Sequence, residues 1–169
     1  MKYFLLSLCL LFSLPGLAQD HDTTQWYSFW VGDWDLTWQD RNGNTFQGTN
    51  HIVRILDGAV IQENFEAKTG PLTGFKGTSL SVYNPRKREW RQAWADNQGG
   101  YFDFTGRKEG DRYYFETQPV ETPQGTVQQR MVFYDITEDS LVWDWEASQD
   151  GGQTWNLNWR INYQRQAKM

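Results

Sequence analysis

Large apolar residues, most of them aromatic, return at every second position in short runs along this chain. Trp90, Gln92, Trp94 and Asp96 share one side of one run, and Trp155, Leu157, Trp159, Ile161 and Tyr163 share one side of another. Side chains alternate across a strand but recur every three to four residues on a helix, so this period predicts β-structure. Ten Trp are more aromatic surface than one face of an open sheet needs. They predict a sheet that closes or curves strongly around an aromatic interior.

Turn residues cut the chain into ten strand candidates near 34–39, 46–56, 59–67, 74–83, 90–96, 101–107, 112–118, 126–135, 141–148 and 154–164. The separators include Arg41-Asn42-Gly43-Asn44, Asp57-Gly58, Asn84-Pro85, Asn97-Gln98-Gly99-Gly100 and Asp150-Gly151-Gly152. Gaps this short join antiparallel neighbours by hairpins, and no segment carries a sustained helical period that would support parallel βαβ units. Before the first strand, Thr23 or Thr24 is placed to cap a short helical turn through Gln25 to Phe29 that would plug one end. A long meander leaves two raw edges unless its first and last strands pair. The predicted fold is therefore an all-β, antiparallel up-and-down barrel of about ten strands, with a two-sheet sandwich as its rival.

Residues 1–18 read as a secretory signal: Lys2, an apolar run from Tyr3 to Leu14, Pro15, and the small-x-small triplet Gly16-Leu17-Ala18. Cleavage after Ala18 leaves residues 19–169 as one domain, secreted or periplasmic, with no integral membrane segment. Cleavage also removes Cys9, the only cysteine, and with it any disulfide or Cys-based metal site. A domain of this size buries roughly 70% of its unfolded surface and needs no staples. Loss of Lys2 makes the formal charge one unit more negative than −5. An acidic balance argues against nucleic acid and anionic membrane surfaces, which are bound through excess Lys and Arg.

Gly32-Asp33-Trp34 opens the first strand with a Gly-x-Trp arrangement that resembles the lipocalin and calycin signature. Further matches are Phe29-Trp30-Val31, Ile55-Leu56-Asp57-Gly58 with Glu63, the Trp90 to Asn97 run, and Ser148 to Trp155. Together these resemble a family of secreted bacterial calycin-like domains of unknown function. The resemblance implies a barrel fold and an exported compartment, and places Arg160 on the last strand as the basic side chain stacked over Trp34. Similar ten-strand barrels of the nitrobindin type hold haem through a His late in the chain. No His follows His51 here, so the resemblance implies no haem, and the sequence points to no other cofactor and to no metal.

If Trp90 and Trp94 point inward, strict alternation takes Gln92 and Asp96 in with them; the same logic groups Ile61, Glu63 and Phe65, and Gly77, Ser79, Ser81 and Tyr83. Alternation says which residues share a face and leaves open which face is inside. A few polar groups among aromatic walls is the usual make-up of a small-molecule pocket. The expected walls are Trp34, Phe65, Tyr83, Trp90 and Trp94, with Glu63, Gln92 and Asp96 orienting a small apolar or aromatic ligand. The alternative for Glu63 and Asp96 is an outward ion pair with Arg54, Arg91 or Arg130.

Two other functions compete. A barrel isomerase or hydrolase would draw its proton-transfer groups from Glu63, Asp96 and Glu146, since no Gly-x-Ser-x-Gly elbow is present and a Ser-His-Asp triad would have to use His51. A carbohydrate-binding module would instead display its Trp residues on an open face. The run Ser148 to Trp155 also matches the Asp-box of sialidase propellers, but it occurs once where a propeller repeats it in every blade. Its expected role is structural, with Asp150 accepting turn amides above Trp155.

Overall fold

The computed structural model describes residues 22–167. The predicted signal 1–18, Cys9 and His21 lie outside the described residues. Eleven strands follow in order: β1 (Gly32–Gln39), β2 (Thr45–Ile55), β3 (Val60–Ala67), β4 (Lys76–Asn84), β5 (Glu89–Asp96), β6 (Tyr101–Glu109), β7 (Arg112–Thr117), β8 (Val120–Thr122), β9 (Gly125–Tyr134), β10 (Ser140–Ser148) and β11 (Asn156–Arg165). Ten of them close an antiparallel barrel. Each strand pairs with the next along the chain, β9 with β7 across the short excursion of β8, and β11 returns to β1 with Trp34 opposite Arg165. The predicted barrel is the observed one. The strand missed by sequence is β8, three residues paired to the start of β9 outside the ring, too short to show an alternation.

One end of the barrel is plugged. Two 3-10 turns, Thr23–Gln25 and Ser28–Trp30, precede β1 and bury Tyr27 and Trp30 completely. The first turn is capped by Asp22, whose carboxylate accepts from the Thr24 amide at 3.0 Å, and not by Thr23 or Thr24 as the sequence suggested. Tyr27 stacks on Phe115 with ring centroids 4.2 Å apart and donates its hydroxyl to the Tyr114 carbonyl at 2.6 Å. The indoles of Trp90 and Trp34 donate to the carbonyls of Thr23 and Trp30 at 2.7 and 2.8 Å. Buried indole donors favour acceptors, and for these two the plug backbone supplies them.

Arg165, not Arg160, lies over Trp34, with its guanidinium carbon 4.1 Å from the ring centroid. The reason is parity: Ile161 and Tyr163 face inward, so Arg165 shares their side while Arg160 faces out and binds Asp144 through two hydrogen bonds of 2.7–2.8 Å. Gly32 is required at this junction. Its φ is +144°, and a Cβ there would sit 2.1 Å from the Arg165 guanidinium. The alternation does break further back in β11, where a bulge opposite Trp145 and Glu146 of β10 shifts the pairing from Trp159 to Leu157. Leu157 is consequently exposed rather than facing in with Trp159 and Ile161.

Candidate functional site: an aromatic cavity above a buried carboxyl

The opposite end carries the hairpins 40–44, 68–75, 97–100 and 149–155 and the β8 excursion. Beneath them lies a cavity of about 150 Å³. Trp143 and Trp145 of β10, stacked 7° from parallel, form one wall, with Phe102 and Phe104 of β6 beside them. Phe65 of β3, Trp94 of β5 and Phe75 complete the aromatic lining, and Met131 and Ile161 fill between. Every second residue of these strands faces the interior, which is how one short stretch of each supplies two wall residues.

The floor is polar. Glu63 and Tyr163 reach the cavity from a belt of buried side chains that also holds Asn50, Ser79, Ser81 and Gln92. Asn50 Nδ2 donates to Glu63 Oε1 at 2.7 Å and to the Tyr163 hydroxyl oxygen at 3.2 Å, and Ser79 Oγ donates to Glu63 Oε2 at 2.7 Å. Among the described residues Glu63 has no ion-pair partner. Burial therefore dominates over the two hydrogen bonds and pushes its carboxyl up to about 7. Burial, with the neighbouring Glu63 charge adding to it, also raises the Tyr163 hydroxyl far above its ordinary range.

Asp96 stands at the mouth in a different environment. Burial acts to raise it, but the amides of Gly100 and Gln98, together with the Trp94 indole, outweigh that and hold it below the usual carboxylate range. Two carboxyls on one cavity are thus driven in opposite directions.

Of the eight residues singled out from sequence, Glu63, Phe65, Trp94 and Asp96 line the cavity. Trp34, Tyr83, Trp90 and Gln92 do not. Trp34 and Trp90 serve the plug, Tyr83 packs on Trp90 with centroids 5.9 Å apart, and Gln92 is buried against Ser81 at 2.9 Å. All four share the inward face; Gln92 belongs to the belt beneath the cavity, and the other three lie below it toward the plug. The proposed Arg54, Arg91 and Arg130 partners are engaged elsewhere: Arg54 binds the Gly58 carbonyl and the Ser28 hydroxyl, Arg91 pairs with Asp103, and Arg130 pairs with Glu146. That last pair holds Glu146 on the outer face, which removes it from the candidate acid–base set.

His51 is exposed and paired with Asp33. The cavity residues passed over by sequence reasoning include Phe102, Phe104, Trp143 and Trp145. Their own period-two spacing within 101–107 and 141–148 was the available signal. Gly77, opposite Asp96 in the β4–β5 ladder, gives Trp94 its place: a Cβ there would lie 1.9 Å from the indole.

The Asp-box stretch forms a hairpin in which Asp150 accepts from the Gln153 and Thr154 amides at 3.0 and 2.9 Å, and Arg130 stacks on Trp155 at 3.8 Å. The Asp150 bonds are internal to the hairpin, and the Arg130 contact ties it to β9. Among the described residues no helix is long and apolar enough to cross a membrane, and no three His, Cys, Asp or Glu side chains gather where they could hold a metal. No protein-family model matches the chain, and no curated protein matches it.

Proposed function

We propose that this protein is an exported, calycin-like barrel that captures one small, largely apolar molecule in the cavity above Glu63. The observation that carries the reading is the cavity itself, aromatic on its walls with a few polar groups at its floor and mouth, the composition of a small-molecule site. Its volume limits the guest to about one ring, because a cavity of roughly this size accommodates benzene. Ion pairs such as Arg107–Glu116 and Arg160–Asp144 on the outward face support a barrel bathed in water, without the apolar girdle of a lipid-facing one. Export rests on the signal-like segment 1–18. Display of Trp on an open face, which glycan binding would need, lacks support: among the described residues no Trp is an exposed large apolar side chain.

Trp94, Trp143 and Trp145 are built-in reporters. Titration with single-ring compounds is expected to give a saturable change in their fluorescence, and Ile161→Phe, which fills the cavity, is expected to abolish it while the far-ultraviolet circular dichroism stays intact. A response that never saturates, or that survives Ile161→Phe, sinks the capture reading. Native mass spectrometry of protein recovered from the periplasm tests compartment and cargo together.

The opposed carboxyls favour one alternative, an enzyme with Glu63 as acid and Asp96 as base. Glu63→Gln separates the two readings. It abolishes turnover in the enzyme and changes only affinity in the binder.

A further inference from the structure

We propose that the guest is a small organic ammonium ion, its N–H groups directed at Glu63 and its apolar part held between the indole and phenyl walls. This deepens the capture reading and rests on it.

Three observations point the same way. Among the described residues that line the cavity there is no Arg, Lys or His, yet it holds one buried carboxyl on its floor and a second at its mouth. A buried carboxylate without a partner is costly, and a cation is the partner this site lacks. The walls are aromatic faces, which carry negative quadrupoles and attract ammonium groups more strongly as water is excluded. Hydrogen-bond accounting agrees. Asn50 Oδ1, on the residue that holds Glu63, is a buried acceptor with no donor, and the buried indole donors that lack a partner, Trp30 Nε1 and Trp159 Nε1, sit on residues that do not line the cavity. Each carboxylate oxygen of Glu63 also keeps a lone pair beyond its one bond to Asn50 or Ser79. The floor has acceptors to spare, so a guest that brings donors fits it better than one that brings acceptors.

The groups facing Glu63 define the pH response. From β2 and β4 come the uncharged Asn50 and Ser79, from β11 Tyr163, which stays protonated, and from β5 Asp96 at the mouth, which stays ionised. Ammonium affinity therefore follows the ionisation of Glu63 alone. It should rise about tenfold per pH unit until about pH 7 and level off above it.

The test is calorimetric titration of the purified protein with benzylammonium and with benzyl alcohol, which match in shape and differ in charge. Near pH 8.5 benzylammonium is expected to bind at least about tenfold tighter, and near pH 6 its binding should release a proton to the buffer. Glu63→Gln is expected to erase the preference and keep benzyl alcohol binding. Equal or tighter binding of benzyl alcohol at high pH, or an ammonium affinity flat across the range, overturns the cation assignment and leaves the capture reading standing. Binding of neither compound at roughly millimolar concentration overturns both. Should Glu63→Gln fail to fold, the pH profile of the unaltered protein decides alone.

Discussion

Glu63 is a buried acid with no counter-charge among the described residues, and such a residue costs stability in a definite pH window. Its carboxyl titrates near 4.5 when unfolded and at about 7 when folded. Below pH 4.5 both states are protonated and it contributes no pH dependence. Between 4.5 and 7 the unfolded chain releases a proton that the folded chain retains, so stability falls as pH rises, and it levels off above 7. At about 1.4 kcal/mol per pH unit, the loss amounts to about 3 kcal/mol. Gln at this position keeps an oxygen for Asn50 and presents its amide to the Ser79 hydroxyl, which can accept. Glu63→Gln is therefore expected to stabilise the protein by about 2–3 kcal/mol at pH 8 and to leave it unchanged near pH 4. Urea unfolding at the two pH values checks this, and equal effects at both would refute the burial account. Gly77 makes a separate demand. Its added Cβ would overlap the Trp94 ring, so Gly77→Ala is expected to cost about 1–3 kcal/mol and to shift the Trp94 emission, because the indole must move into the cavity. An unchanged midpoint and spectrum would mean that the ring is not held against β4.

At the scale of the element, β11 shows what alternation can and cannot tell. The rule that places Ile161 and Tyr163 inside also places Arg165 there and Arg160 outside, so the correct partner of Trp34 was legible in the chain once parity was carried to the strand end. The β11 bulge was not legible, because one extra residue leaves no mark in a run already rich in Trp, Leu and Asn. Arg165 does more than stack. Its guanidinium donates to the carbonyls of Glu138, Val31 and Phe29 at 2.7–3.2 Å, tying the last strand, the β9–β10 loop and the plug together. Arg165→Ala removes a cation–π contact of about 1 kcal/mol and leaves part-buried carbonyls unpaired. A loss of about 2–3 kcal/mol is expected in chemical denaturation. A loss below about 0.5 kcal/mol would place the clasp elsewhere. In the 149–155 hairpin, Asp150→Ala is expected to speed hydrogen exchange at the Gln153 and Thr154 amides while leaving cavity binding intact. Slow exchange retained in the variant would show that the hairpin does not depend on that carboxylate.

At the scale of the whole molecule, the strand count, the antiparallel closure and the inward sets followed from period two and from turn residues, because burial on one face imposes the same period on every strand. Depth along the barrel axis did not follow, since residues of one face divide between plug, belt and cavity according to strand tilt and register, which no local pattern records. For that reason Trp34, Tyr83, Trp90 and Gln92 share the inward face with the cavity walls and still lie outside the cavity. The consequence is a molecule with two ends of different character. One is filled by Tyr27, Trp30, Phe115 and Phe133, and the other is left partly empty. If the plug is an integral part of the barrel core, its removal should lower the stability of the whole and not merely fray one end. Trp30 is fully buried and meets Phe133 edge to face at 5.1 Å, so Trp30→Ala is expected to cost about 3–5 kcal/mol. The loss should appear as a shifted midpoint in a single transition of unchanged steepness, with fluorescence and circular dichroism coinciding. Amide exchange should accelerate in β3 and β5 as much as in residues 22–31. A biphasic unfolding curve, or faster exchange confined to 22–31, would show instead that the N-terminal segment docks on a barrel that stands without it.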